Sequence, residues 1–287
     1  MDSNSLIKIN RFIKEMPPLS VSVTKIMELS RDPAVDAKKL NDVISIDPVL
    51  TGKVLKLINS AYYSMPNQVT SLVRAVVMLG VNTIKNLVIS TGVISNISTG
   101  ANFVALDMEA FWRHSLCVGA MAKFFASKQK IDVKFIEEYF VAGLLHDIGK
   151  IPFNSVIPEE YKKVIDYSVE HKIPLHDVET KHFEINHCDL GLRIADMWKL
   201  PATLKDTISC HHNLQDVSSQ TKKFVATICL ANILTRRAGI GFSGNGTPDT
   251  NEEELLSITG LKWDDIREAE KNVESTIKKA EIFLKLT

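Results

Sequence analysis

Apolar positions recur at three- and four-residue intervals through almost all of the 287 residues, without convincing alternating runs or Asn-Gly hairpin signals. This pattern predicts an all-α chain of many short helices. Local signals mark their ends. Ser20, after Met16-Pro17-Pro18-Leu19, reads as the N-cap of a helix to about Leu29, which Asp32-Pro33 breaks. Asp36 caps the next helix, carrying Leu40, Val43 and Ile44. Asp47 followed by Pro48 joins a capping carboxylate to a proline in the first turn, where no N–H is needed. That helix should end near Asn59, before Tyr62 and Tyr63. Two apolar blocks, 71–80 and 81–97, complete the first part.

The small polar segment 98–102 divides an N-terminal helical bundle (1–102) from a second helical unit (103–238). After it comes the glycine-rich stretch GIGFSGNGTPDTN, which predicts a mobile loop. A charged helical tail follows, with Leu255, Leu256, Ile258, Leu261, Ile266, Val273, Ile277 and Leu284 as packing positions. Loop and tail together make a third part, 239–287.

Composition narrows the function classes. Hydrophobic residues make up 45% and charged residues 24%, the balance of a folded globular chain rather than a disordered or fibrous one. Lys+Arg 34 and Asp+Glu 34 cancel, so no cationic excess draws the chain to nucleic acid or an anionic membrane. The cysteines Cys117, Cys188, Cys210 and Cys229 form no C-x-x-C pair and lie in apolar helical stretches, as reduced thiols do. No run reaches the roughly 18 apolar residues of a membrane span, and MDSNSLIKINRFIKEM lacks the core of a signal peptide. A soluble, cytoplasmic protein is expected.

The histidines carry the candidate chemistry. Leu144-Leu145-His146-Asp147-Ile148-Gly149-Lys150 puts an imidazole beside a carboxylate at the end of an apolar helix, a pairing suited to a divalent cation. Gly149 is expected to close that helix in the left-handed conformation, with Pro152 preventing its continuation. His114 shares a helical stripe with Phe111, Val118, Met121 and Phe125. Asn186, with Asp189 three residues on, caps a helix that His187 opens in line with Leu190, Gly191, Ile194 and Trp198. Leu204 and Ile208 point the same way as His211 and His212. Asn232 lies on the face of Val225, Ile228 and Cys229. Five of the eight histidines thus face inward, where an imidazole must be hydrogen-bonded or ligated. His171, His176 and His182 fall outside the set and read as surface residues. Trp112 and Trp198 read as core packing, and Arg236-Arg237 as a solvated helix end.

WRHSL, GLLHDIGK, NHCDLG, CHH and LANIL resemble the successive motifs of the HD superfamily. With MPPL, ISIDPVLTGKVLKLINSAYY and AVVMLGVNTIKNLVIS before them, the chain from about Met16 to Arg237 resembles the HDOD (HD-related output domain) family. The resemblance implies an N-terminal bundle on an HD-type helical domain, and an output role in bacterial signal transduction through a protein or nucleotide partner. It further implies that His114, His146 and Asp147 match metal ligands of catalytic HD proteins, with Asn232 where those enzymes carry an aspartate. His187, His211 and His212 match positions that bind further metal in HD-GYP phosphodiesterases, and Lys150 matches a lysine that contacts phosphate there. The divalent ion would be iron, zinc, nickel or manganese. His211-His212-Asn213-Leu214-Gln215 lacks the acidic residue and GYP loop of those enzymes. The expected reading is a non-catalytic regulatory protein, and the alternative is a metal-dependent phosphohydrolase acting on a nucleotide or other phosphoester. The sequence leaves homodimerisation open.

Overall fold

The computed structural model describes residues 3–29, 35–97, 105–245 and 251–286. The Asp32-Pro33 break, the 98–102 boundary and residues 246–250 of the glycine-rich stretch lie outside them. Among the described residues the secondary structure is entirely helical, and the fold class is all-α.

The first part holds α1 (Ser3–Glu15), α2 (Val21–Leu29), α3 (Ala37–Ile44), α4 (Pro48–Ile58), α5 (Leu72–Leu79) and α6 (Val81–Ile97). The predicted caps are present. Asp36 accepts from the Lys39 N–H at 2.8 Å and Asp47 from the Leu50 N–H at 2.9 Å. The segment before Met16 forms a helix, α1. It buries Ile9 and Ile13 and packs on α9 and α12 of the second part, whose ranges follow.

The second part holds α7 (Met108–Lys128), α8 (Val133–Leu145), α9 (Lys150–Val156), α10 (Pro158–His171), α11 (Leu175–Phe183), α12 (His187–Met197), α13 (Ala202–Cys210) and α14 (Lys222–Arg237). Helices α7 and α8 form its centre. Gly119 and Gly143 let them approach closely: a Cβ on Gly119 would lie 2.6 Å from the Phe140 carbonyl oxygen, and one on Gly143 2.6 Å from the Gly119 backbone. The almost wholly buried α6 packs on α8 and joins the first part to this centre.

The tail forms α15 (Glu252–Thr259), α16 (Trp263–Ala280) and a final 3₁₀ turn, Glu281–Leu286. Leu255, Leu261, Ile266, Val273 and Ile277 are buried, as their spacing predicts. Helix α16 lies along α7. Phe283 reaches Tyr62 and Phe140 with ring centroids 5.3 Å and 4.7 Å apart, so one apolar core runs through all three parts. Arg237 is tied to Glu252 and Glu270 rather than solvated freely. No single described helix is long and apolar enough to cross a membrane. The pair α5–α6 passes on composition only together, with a 118° bend between them.

Candidate metal centre

The histidine motif lies in the connection between two helices. Helix α8 ends at Leu145, and two tight turns, Ile148 N–H to Leu145 O and Lys150 N–H to Asp147 O, lead into α9. Gly149 does not adopt the expected left-handed conformation: its φ is −69°. Glycine is required there by contact instead. A Cβ would lie 1.8 Å from the His187 carbonyl oxygen and 2.5 Å from the Gly191 nitrogen. This approach brings the start of α12, and with it His187, beside Asp147. Asn186 caps α12 in a full capping box with Asp189, which fixes the direction in which His187 leaves the first turn. Pro152 lies inside α9 rather than barring a helix.

Asp147 is the meeting point. Its Oδ2 lies 3.2 Å from His146 Nε2 and accepts from the Lys150 ammonium at 2.8 Å. Its Oδ1 lies 3.5 Å from both His187 Nε2 and His211 Nε2. His212 Nε2 is 3.0 Å from His187 Nε2, and His114 Nε2 is 3.1 Å from Asn232 Oδ1. The inward-facing residues therefore converge from α7, the α8–α9 turn, α12, α13 with its C-terminal turn, and α14. They form two donor groups: His114, His146 and Asp147 on one side, and His187, His211 and His212 with Cys188 on the other.

The ring orientations suit ligation. His146 Nδ1 faces the Gly143 carbonyl at 2.7 Å and His211 Nδ1 faces the Thr207 carbonyl at 3.0 Å. A carbonyl only accepts, so each Nδ1 carries the proton and each Nε2 presents a lone pair inward. His187 does the same through Nδ1 to Glu179 Oε2 at 2.5 Å. Such outward hydrogen bonds hold ligating histidines in register. His146 Nε2, His211 Nε2 and Asp147 Oδ1 are buried acceptors without a hydrogen bond. Orphaned acceptors of this kind cost free energy unless a cation or water satisfies them. Two ligands about 2.1 Å from one ion sit about 3.0–3.4 Å apart at right or tetrahedral angles, close to the 3.0 Å and 3.5 Å separations seen here. The residues fit a divalent cation. Such an ion would supply Lewis acidity toward a phosphoryl oxygen or an acidified bound water.

Burial alone would raise the Asp147 carboxyl, but His146 and Lys150 beside it hold it well below the usual carboxylate range. Burial, then repulsion from His211, His187 and His176, pushes the His212 imidazole well down. His114 is pushed down to about 3, first by burial and then by His146. In the unfolded chain it titrates near 6.5. A group with a depressed folded pKa contributes stability that is complete above its unfolded value and is lost as pH falls toward the folded one. Lowering the pH from about 7 to about 5 should therefore destabilise metal-free protein by about 2 kcal/mol through this residue. Urea midpoints at both pH values, compared with His114→Gln, check it: the variant should lose that share of the acid sensitivity, and equal sensitivity refutes the assignment.

Several features lie outside the sequence expectation. Glu179, fully buried on α11, accepts from the His187 backbone N–H at 2.9 Å as well as its ring, and from the Tyr161 hydroxyl at 2.7 Å. Burial would raise its carboxyl, but His187 and Lys150 hold it low. His176 is not a surface residue apart from the set: it stacks on His212 with centroids 4.3 Å and planes 9° apart. His171 and His182 are exposed, as expected. The first half of the glycine-rich stretch is seated rather than mobile. Phe242 donates its N–H to the Ala110 carbonyl, and Ser243 offers its carbonyl to Lys150 at 2.9 Å. Gly241 has φ +66°, and a Cβ there would lie 2.4 Å from the His114 nitrogen, so only glycine allows this loop to close on α7.

The chain matches the family model of the HDOD domain over residues 16–214. It belongs to the HDOD family. An HDOD domain protein of unknown function from Geobacter sulfurreducens has the same fold, with a TM-score of 0.79 at 26% identity over 98% of both chains. A candidate phosphohydrolase from Shewanella amazonensis SB2B follows at a TM-score of 0.72 and 20% identity, again over 98% of each chain. An uncharacterized protein of Treponema pallidum is 29% identical over 226 residues, 78% of this chain. The present HDOD chain spans 43% of the length of that relative.

Proposed function

We propose that this HDOD protein is a regulatory output module of bacterial signal transduction. It holds a divalent cation (iron, zinc, nickel or manganese) at the Asp147 centre and acts through a protein or nucleotide partner rather than by turnover. The position of Lys150 carries this reading. Its side chain is fully buried, and its amine is committed to Asp147 and to the Ser243 carbonyl. A lysine held in this way does not reach a phosphate arriving from solvent. The amide of Asn232 adds to the argument. With a neutral amide beside His114, one divalent ion leaves the centre with net positive charge, and an amide oxygen is a weaker ligand than a carboxylate.

The balanced charge of the chain supports a protein or small-molecule partner over nucleic acid. The second reading is a metal-dependent phosphohydrolase, favoured by two adjacent donor groups, with Asp147 of the first lying 3.5 Å from His187 and His211 of the second, an arrangement that suits paired metal ions.

Metal analysis of protein purified without added metal, followed by hydrolysis assays on nucleotides and phosphoesters with Mn²⁺ or Fe²⁺, decides between them. Bound metal without turnover is expected. Hydrolysis that disappears in His146→Ala would overturn the regulatory reading in favour of the enzyme. Asn232→Asp should tighten metal binding at least about tenfold, the scale on which changes around a metal site act. Titration of the metal-free protein measures it, and unchanged affinity refutes the charge argument.

A further inference from the structure

The donor set is closed to solvent except at His212, which is only partly covered. The groups around His212 form a graded series. Side-chain exposure is 0% at His187, 19% at His176 and 59% at Asp177. Asp177 Oδ1 lies 3.2 Å from His176 Nε2, and the His176 ring lies flat against His212. His212 Nε2 is 3.0 Å from His187 Nε2, which is 3.5 Å from Asp147 Oδ1. Carboxylate and imidazole donors thus run without a gap from solvent to the buried carboxylate. Elsewhere residues 241–245 pack against the centre: the Ser243 carbonyl accepts from the Lys150 amine, and Gly241 lies against the His114 backbone.

A sealed centre needs a route by which an ion exchanges its water for protein ligands. We propose that Asp177 and His176 form an outer capture site for a divalent cation, and that His212 passes the ion inward to His187 and Asp147. The proposal rests on the reading of the Asp147 centre as a metal site. It assigns His176 and Asp177 a role in the rate of loading, not in the final coordination.

Cobalt(II) provides the test, because its absorption bands report ligation directly. Chelator-stripped protein is mixed with Co²⁺ in a stopped-flow spectrometer and then titrated to equilibrium. His176→Phe keeps a flat ring against His212 and removes the donor; Asp177→Asn changes an exposed side chain that does not support the core. Both should load at least about tenfold more slowly, the scale of one lost metal-site partner, with wild-type stoichiometry and dissociation constant. His182→Ala, on the same helix but away from His212, should load at the wild-type rate. Wild-type loading rates in both His176→Phe and Asp177→Asn would overturn the route while leaving the metal centre intact. A lower final stoichiometry in His176→Phe would also overturn it, by making His176 a permanent ligand. Wild-type protein that binds no cobalt would remove the metal reading and the route together.

Discussion

Replacing Asp147 with asparagine should remove metal from both donor groups and destabilise the metal-free protein. The substitution keeps the shape of the side chain, so the effect isolates its charge. Oδ1 faces His187 and His211, and Oδ2 faces His146 and Lys150. Without the carboxylate, the Lys150 amine stays fully buried against the neutral Ser243 carbonyl and has lost its ion-pair partner. Breaking a buried pair by removing one partner costs about 3–5 kcal/mol for that reason. Against a total stability of about 5–15 kcal/mol that is a large share. Asp147→Asn should therefore lower the urea midpoint of chelator-treated protein. The double variant Asp147→Asn/Lys150→Met should recover much of the loss, since it leaves neither charge of the pair buried without its partner. Metal content should stay low in both. An unchanged midpoint in the single variant, or no recovery in the double, would show that the pair does not carry this energy.

Much of this arrangement is legible in the amino-acid sequence, and the reason is its locality. Asp47-Pro48 and Asn186-His187-Cys188-Asp189 specify helix starts within four residues. His114 and Asn232 reveal their inward direction by sharing a helical stripe with apolar neighbours. Glu179 escapes the same reading because an acidic residue on a short, charged helix ordinarily faces water. Its position four residues after Leu175 and four before Phe183, both buried, is the signal that marks it. His176 and the seated loop 239–245 are not legible in this way. Each is placed by a contact between segments far apart in sequence: His176 against His212, and Gly241 against His114.

Gly149 shows how such a distant contact can be mistaken for a local one, and it yields the second large effect. A glycine after a helix suggests a left-handed cap, but φ −69° is open to any residue. A cap would predict a modest penalty for alanine, arising from backbone strain. The contact predicts a severe one, because the Cβ of Gly149→Ala would sit 1.8 Å from the His187 carbonyl oxygen and 2.5 Å from the Gly191 nitrogen. These are backbone atoms, which cannot turn aside as a side chain tip can; α12 must move as a unit. Overpacking ordinarily costs about 1–3 kcal/mol and occasionally more, and a backbone clash belongs at or above the top of that range. Moving α12 also draws His187 away from Asp147, so metal affinity should fall with stability. Gly52→Ala supplies the comparison: Gly52 lies inside α4, a Cβ there meets nothing within 4 Å, and the change should stabilise by about 0.5–1 kcal/mol. Chemical denaturation of the two variants, with cobalt titration of each, should give opposite signs for stability and a loss of affinity in Gly149→Ala alone. Near-wild-type stability and affinity in Gly149→Ala would mean that the α9–α12 contact does not hold His187 in place.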